Sequence, residues 1–236
     1  MIRLQVLKKH GPGLIAFAVG VVLVWMATPR TYSAYNALPA AFVSFQLTMD
    51  RPVRDADLAR ALTGLKAASA AGVDQANIYG QLSQFMLLDV FRTPNDHQEE
   101  QLAAARDATV LALRHRPLDA YLWTRYTHLT YLLEGFSPYT IAALDKSFRY
   151  GTYERELLVF RLKLSLSEWE SLPTSLREHA REQIRFSAQH AYVCGQILSY
   201  LDDQAAKRFI SFLAETPADI ELIQRASNAL KRQRAS

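Results

Sequence analysis

PLDAYLWTRYTHLTYLLEGFSPYTIAALDKSFRYG, residues 117–151, is the stretch from which the fold reads outward. Asp119 stands where a helix N-cap belongs, and Leu122, Tyr126, Leu129 and Leu133 follow at helical spacing. Gly135-Phe136-Ser137-Pro138 interrupts the pattern, and Ile141, Leu144 and Phe148 resume it before Gly151. The stretch predicts a helical hairpin punctuated by proline at one end and glycine at the other.

The same grammar extends in both directions. Upstream, Asp55 offers a cap for a stripe of Leu58, Leu62 and Leu65 that ends near Gly72. Asp74 starts a second stripe of Ile78, Leu82, Phe85 and Leu88. Pro94 stops it, Asn95 with Gln98 resembles a capping box, and Ala105, Ala108 and Ala112 form a small-residue face that ends at Pro117. Downstream, Leu157, Phe160 and Leu164 mark another helix, and Ser167-Glu168-Trp169-Glu170 carries a second capping-box signal. Leu176, Ala180, Ile184, Ser187 and Ala191 continue after Pro173. Gly195, Asp202-Asp203 and Thr216-Pro217 punctuate the remainder, and Ile220, Ile223, Ser227 and Leu230 precede a basic KRQR end. An all-α domain of helical hairpins over residues 53–234 is expected.

Ala105, Ala112 and Pro117 closing one unit, then Trp123 in the next helix, resemble a degenerate tetratricopeptide repeat over residues 95–151. The endpoints of the opening stretch, 34 residues apart, match that repeat length. The resemblance implies TPR-like hairpins in a right-handed array, with first-helix side chains lining a concave groove. Gly151 stands where a closing proline is expected, the middle loop is one residue longer, and the early glycine of the repeat is absent. A second resemblance spans residues 117–190, carried by Pro117, Trp123, Gly135, Ala143-Leu144, Ser147, Gly151, Glu154, Leu157, Arg161, Trp169-Glu170-Ser171-Leu172 and Arg177. It is to small membrane-anchored helical proteins of bacterial exopolysaccharide clusters and to the helical-repeat tails of some O-antigen-ligase-type proteins. It implies a role in assembling or supporting polysaccharide synthesis and export.

Residues 11–28, GPGLIAFAVGVVLVWMAT, carry no charge and would extend about 27 Å as a helix, enough for a bilayer core. Trp25 near the far end suits the interface. A cleaved signal peptide is the rival reading, but Trp25 spoils the −3 position for cleavage after Ala27. Arg3, Lys8 and Lys9 precede the span, whereas Arg30 is the only basic residue in the next twenty. The positive-inside rule therefore predicts a cytoplasmic N-terminus over residues 1–10 and a periplasmic main domain at a bacterial inner membrane. Residues 29–52 read as a linker divided by Pro29, Pro39 and Pro52. Within it, Val43 to Met49 alternates like a strand, while Phe42, Phe45 and Met49 also form the stripe of a short amphipathic helix.

The 236 residues are 50% hydrophobic and 21% charged, a globular composition with formal charge +4. Of 27 lysines and arginines three precede the span, and 27 − 3 leaves 24 against 23 acidic residues. That near-neutral balance argues against nucleic-acid binding. The single Cys194 admits no intrachain disulfide, and its apolar setting reads as buried.

No Walker loop, HExxH, G-x-S-x-G or Rossmann pattern occurs, so no catalytic, cofactor or metal site is assigned and an enzyme is not expected. His97 and Glu100 sit three apart but read as a charged helix start. The richest constellation is aromatic and basic: Tyr121, Trp123, Arg125, Tyr126, His128 and Tyr131. Tyr121, Arg125 and His128, extended by Arg155 and Arg161, form the candidate partner- or glycan-binding groove, with Glu154 or Glu156 as local counter-charges. Trp123 and Tyr126 fit packing better than recognition. The expected function is a membrane-anchored interaction scaffold for exopolysaccharide biosynthesis or export, binding membrane proteins of that machinery. Direct glycan binding, or assembly of an unrelated envelope complex, is the alternative.

Overall fold

The computed structural model describes residues 2–93, 96–188 and 191–214. Pro94, Asn95, Thr216-Pro217, the stripe from Ile220 and the basic end lie outside them. Every regular element among the described residues is helical. The chain divides between His115 and Arg116 into two compact units, so the helices expected as one domain are shared between them.

The first unit begins with α1, Ile2–Thr48, a helix of 47 residues. At 1.5 Å per residue it is about 70 Å long, more than twice a bilayer core. Its stretch Gly13–Thr48 is apolar enough to cross a membrane. The expected linker is a continuation of the same helix over residues 29–48, and Pro29 and Pro39 lie inside it. Residues 43–48 are thus helical and carry no strand. Side chains take up carbonyls around Pro29: Thr28 Oγ1 donates to Val24 O (2.8 Å) and Thr31 Oγ1 to Ala27 O (3.1 Å). The helix closes where Asp50 adopts φ +51° and the Arg51 amide donates to Gln46 O at 2.9 Å, a Schellman-type end.

Three helices follow: α2 (Asp55–Ser69), α3 (Gln75–Arg92) and α4 (Gln98–His115). Asp55 is the first residue of α2 rather than its cap. The carboxylate that matters is Asp57, buried between Arg54 (2.7 Å) and Arg60. Asp74 precedes α3 in a left-handed conformation and accepts from the Asn77 side chain instead of a backbone amide. Ala40 and Val43 of α1 join Leu58, Ala61, Leu65, Ile78 and Phe85 in one core. Gly64 permits the α1–α2 crossing, because a Cβ there would overlap the Asn36 carbonyl oxygen. Between α3 and α4 the Ser83 and Thr109 hydroxyls pair where both are fully buried.

The second unit holds α5 (Ala120–Glu134), α6 (Pro138–Tyr150), α7 (Arg155–Ser167), α8 (Thr174–Ala188), α9 (Ala191–Tyr200) and α10 (Asp203–Ala214). The α5–α6 hairpin matches its sequence reading closely. Asp119 accepts from the amides of Tyr121 and Leu122, Gly135 ends α5 at φ +69°, and Ser137 caps α6 ahead of Pro138. Two downstream signals resolve differently. Trp169–Ser171 forms a 3-10 turn, and α8 starts only at Thr174. Gly195 lies inside α9, while Asp202 caps α10 by accepting from Ala205 N at 2.8 Å. Phe148, Leu158, Leu162, Trp169, Ile184, Cys194 and Phe209 share the core. Burial pushes the Cys194 thiol up, and its Sγ lies 3.1 Å from Ser187 O.

Candidate functional site

The residues expected to line a groove divide into those the fold consumes and those it leaves at the surface. Arg161 is consumed. It projects from α7 and is fully buried, with Nε donating to Ser147 Oγ at 2.7 Å and Nη1 to Gly151 O at 2.6 Å. Nη2 donates to Ser147 O, and the guanidinium lies 5.5 Å from the Phe148 ring centre. Desolvation lowers its pKa to about 10, offset in part by Glu154 and Tyr121. A fork spread over three acceptors ties α7 to the end of α6 and has no donor directed at a ligand.

Close packing against the start of α5 explains Gly151, the departure from the expected proline. A Cβ there would lie 2.5 Å from Ala120 Cβ, 3.0 Å from Glu154 Cγ and 3.4 Å from Arg161 Nη2. Glycine is needed because the chain passes directly against Ala120 at the start of α5.

Arg125 and His128, three apart on α5, are both half-buried. Desolvation lowers the Arg125 pKa to about 10, against the pull of Asp119. It lowers His128 to about 4, and nearby Lys163 adds to the effect. The imidazole packs on Phe160 with ring centres 4.6 Å apart, so His128 is neutral at physiological pH. Trp123 is occupied too: its Nε1 donates to Pro117 O at 2.7 Å, Tyr126 meets it edge-on and Lys146 Nζ stands 4.1 Å above its ring. Tyr131 donates to Glu168 at 2.9 Å.

Tyr121 and Arg155 remain exposed. The Tyr121 hydroxyl lies 3.1 Å from both Glu154 Oε2 and Glu156 Oε2, and desolvation with these carboxylates raises its pKa. The surface patch is therefore more acidic than the sequence reading proposed. His97 and Glu100 form an exposed pair at 3.7 Å, and no group of three potential metal ligands occurs among the described residues.

The larger features sit along α1 in the first unit. A cavity of about 380 Å³ between α1 and α3 is lined by Arg30, Ser33, Ala37, Asp74, Asn77 and Gln81. Another of about 510 Å³ opens between α1 and α2, with Tyr35, Leu38, Pro39, Arg60, Thr63 and Gly64 on its walls. Tyr35 and Leu38, with Phe42, Phe45 and Met49 further along α1, expose about half of their surface or more. The sequence signal was present in the charge-free run from Thr31 to Met49, and it was obscured by the two prolines read as breaks. No protein-family model matches the chain, and neither a curated protein nor a solved structure shows significant similarity to it.

Proposed function

We propose that the protein is a single-pass, membrane-anchored interaction scaffold whose folded units work on the periplasmic side of a bacterial inner membrane. The observation that carries this reading is the continuity of α1. Its first part, from Leu14 to Met26, exposes an unbroken apolar surface, while Ser33, Ala40 and Val43 further along are buried in the first unit. A flexible tether would let the domain roam, whereas one helix shared by span and core fixes the first unit at the membrane surface. Confinement there raises its effective concentration toward other membrane proteins.

The direction of insertion rests on Arg3, Lys8 and Lys9 before the span. The assignment to exopolysaccharide assembly rests on the resemblance of residues 117–190. Cross-linking in native membranes followed by pull-down should recover polysaccharide synthesis or export proteins. Recovery of general chaperones alone would sink that assignment. Direct glycan recognition through Tyr121, Arg125 and His128 is the weaker reading, since half-burial of Arg125 and His128 leaves the carboxylate-flanked Tyr121 as the accessible member.

A further inference from the structure

We propose that the cavity between α1 and α3 binds the headgroup of a membrane phospholipid that carries a primary ammonium beside its phosphate, the phosphatidylethanolamine class. This site rests on the anchored reading above, because only a spanning α1 brings it to the lipid. The cavity holds about 380 Å³, the small end of the range for ligand pockets. Asn36 of α1 meets Gly64 of α2 and the chain turns after Ser69, so that Val73 and Asp74 come back beside Arg30.

The height suits a headgroup. Arg30 is the first lysine, arginine or acidic residue after Lys9, and it follows the end of the apolar run at Thr28. At 1.5 Å per residue, Arg30 and Ser33 stand about 3 Å and about 8 Å beyond Thr28. The headgroup layer is roughly 5–8 Å deep on each side of a bilayer.

The wall suits a zwitterion. Arg30 and Asp74 bring opposite charges to one cavity, yet among the described residues they form no ion pair with each other. Ser33 is only 4% exposed and lines the cavity, and its hydroxyl has no hydrogen-bond partner among the described residues. Such a buried hydroxyl is costly until a ligand completes it. Asp74 precedes α3, but its side chain caps no backbone amide and instead accepts from Asn77 Nδ2 at 2.8 Å with each oxygen. The positive end of this 18-residue helix is thus left uncapped at the cavity, where with Arg30 and Ser33 it favours a phosphate. The Asp74 carboxylate keeps lone pairs for an ammonium. A purely anionic headgroup would set a second negative charge near Asp74, and a choline headgroup has no N–H to donate to it.

The full-length chain in detergent, titrated with phosphatidylethanolamine, phosphatidylglycerol or phosphatidylcholine of matched acyl chains, tests this by native mass spectrometry. Phosphatidylethanolamine should bind about tenfold tighter than the other two. R30Q should weaken that binding about tenfold, and D74N should bring it level with phosphatidylglycerol. Asparagine accepts the left-handed backbone of Asp74, φ +51° being matched nearby by Asp50 and φ +48° here, so D74N changes charge without changing conformation. R51Q, at an exposed arginine beyond the far end of α1, should alter nothing. Equal binding of the three lipids, or indifference to either R30Q or D74N, would overturn the site. Glycerophosphoethanolamine, the same headgroup without acyl chains, should compete only at far higher concentration, and equal competition would overturn a lipid as the source. Alkaline carbonate washing of native membranes keeps the two readings apart. A chain retained in the pellet but without headgroup preference overturns the site alone, whereas release into the supernatant overturns the anchored reading and the site with it.

Discussion

Arg161 shows how the fold uses a charge where recognition was expected. Its guanidinium satisfies Ser147 O, Ser147 Oγ and Gly151 O, buried acceptors that few other side chains could reach together. Arg161→Met would strand these acceptors and should cost about 1–3 kcal/mol, read from chemical denaturation of the detergent-solubilised chain. Arg161→Lys should recover only part of that, since an ammonium lacks the planar fork. Full stability in the methionine variant would refute the staple.

His128 makes a pH prediction. Its folded pKa is depressed from 6.5 to about 4, so the unfolded chain binds more protons between those values. Its stabilising contribution is present above pH 6.5 and is lost as pH falls toward about 4. The loss should be at most about 3 kcal/mol, reduced by solvent screening at this half-buried site, and His128→Phe should flatten the corresponding part of the stability–pH curve. An unchanged acid slope in that variant would place the titration elsewhere.

Among elements, α1 is the one on which the placement of the first unit depends. Gly64→Val would drive a branched side chain into the Asn36 carbonyl at the α1–α2 crossing. Overpacking of this kind costs about 1–3 kcal/mol and should lower the melting temperature of the detergent-solubilised chain. The buried Asp57 supports the same helix pair. Hydrogen bonding to Arg54 holds its carboxyl below the usual range, so its contribution is present above pH about 4 and fades as pH falls through the lowered folded value. Asp57→Asn should therefore weaken the first unit at neutral pH, with the difference from wild type shrinking in acid. A constant difference across that range would refute the charged role of Asp57.

At the scale of the molecule, each unit holds its own core, from Ala40 to Ala108 in one and from Leu144 to Leu213 in the other. Residues 116–236 expressed alone should fold, with helical circular dichroism and a cooperative unfolding transition. The full chain in detergent should unfold in two steps, because separate cores need not melt together. A disordered fragment and a single transition for the whole chain would show the units to be interdependent.

Helix existence and most ends were legible in the sequence. Asp119, Gly135 and Ser137-Pro138 act through backbone groups within a few residues, so local chemistry decides them. The apolar span was legible for the same reason: an uncharged run needs no partner to be recognised. Tertiary structure decided that Pro39 would be carried inside a helix, since α1 packs there on α2. It also decided the fate of Arg125, His128 and Arg161. Their spacing placed them on helices but said nothing of what would pack above them, and desolvation depends on neighbours distant in sequence. For Arg161, Ser147 and Gly151, 14 and 10 residues away, turn a candidate ligand-binding arginine into a buried staple.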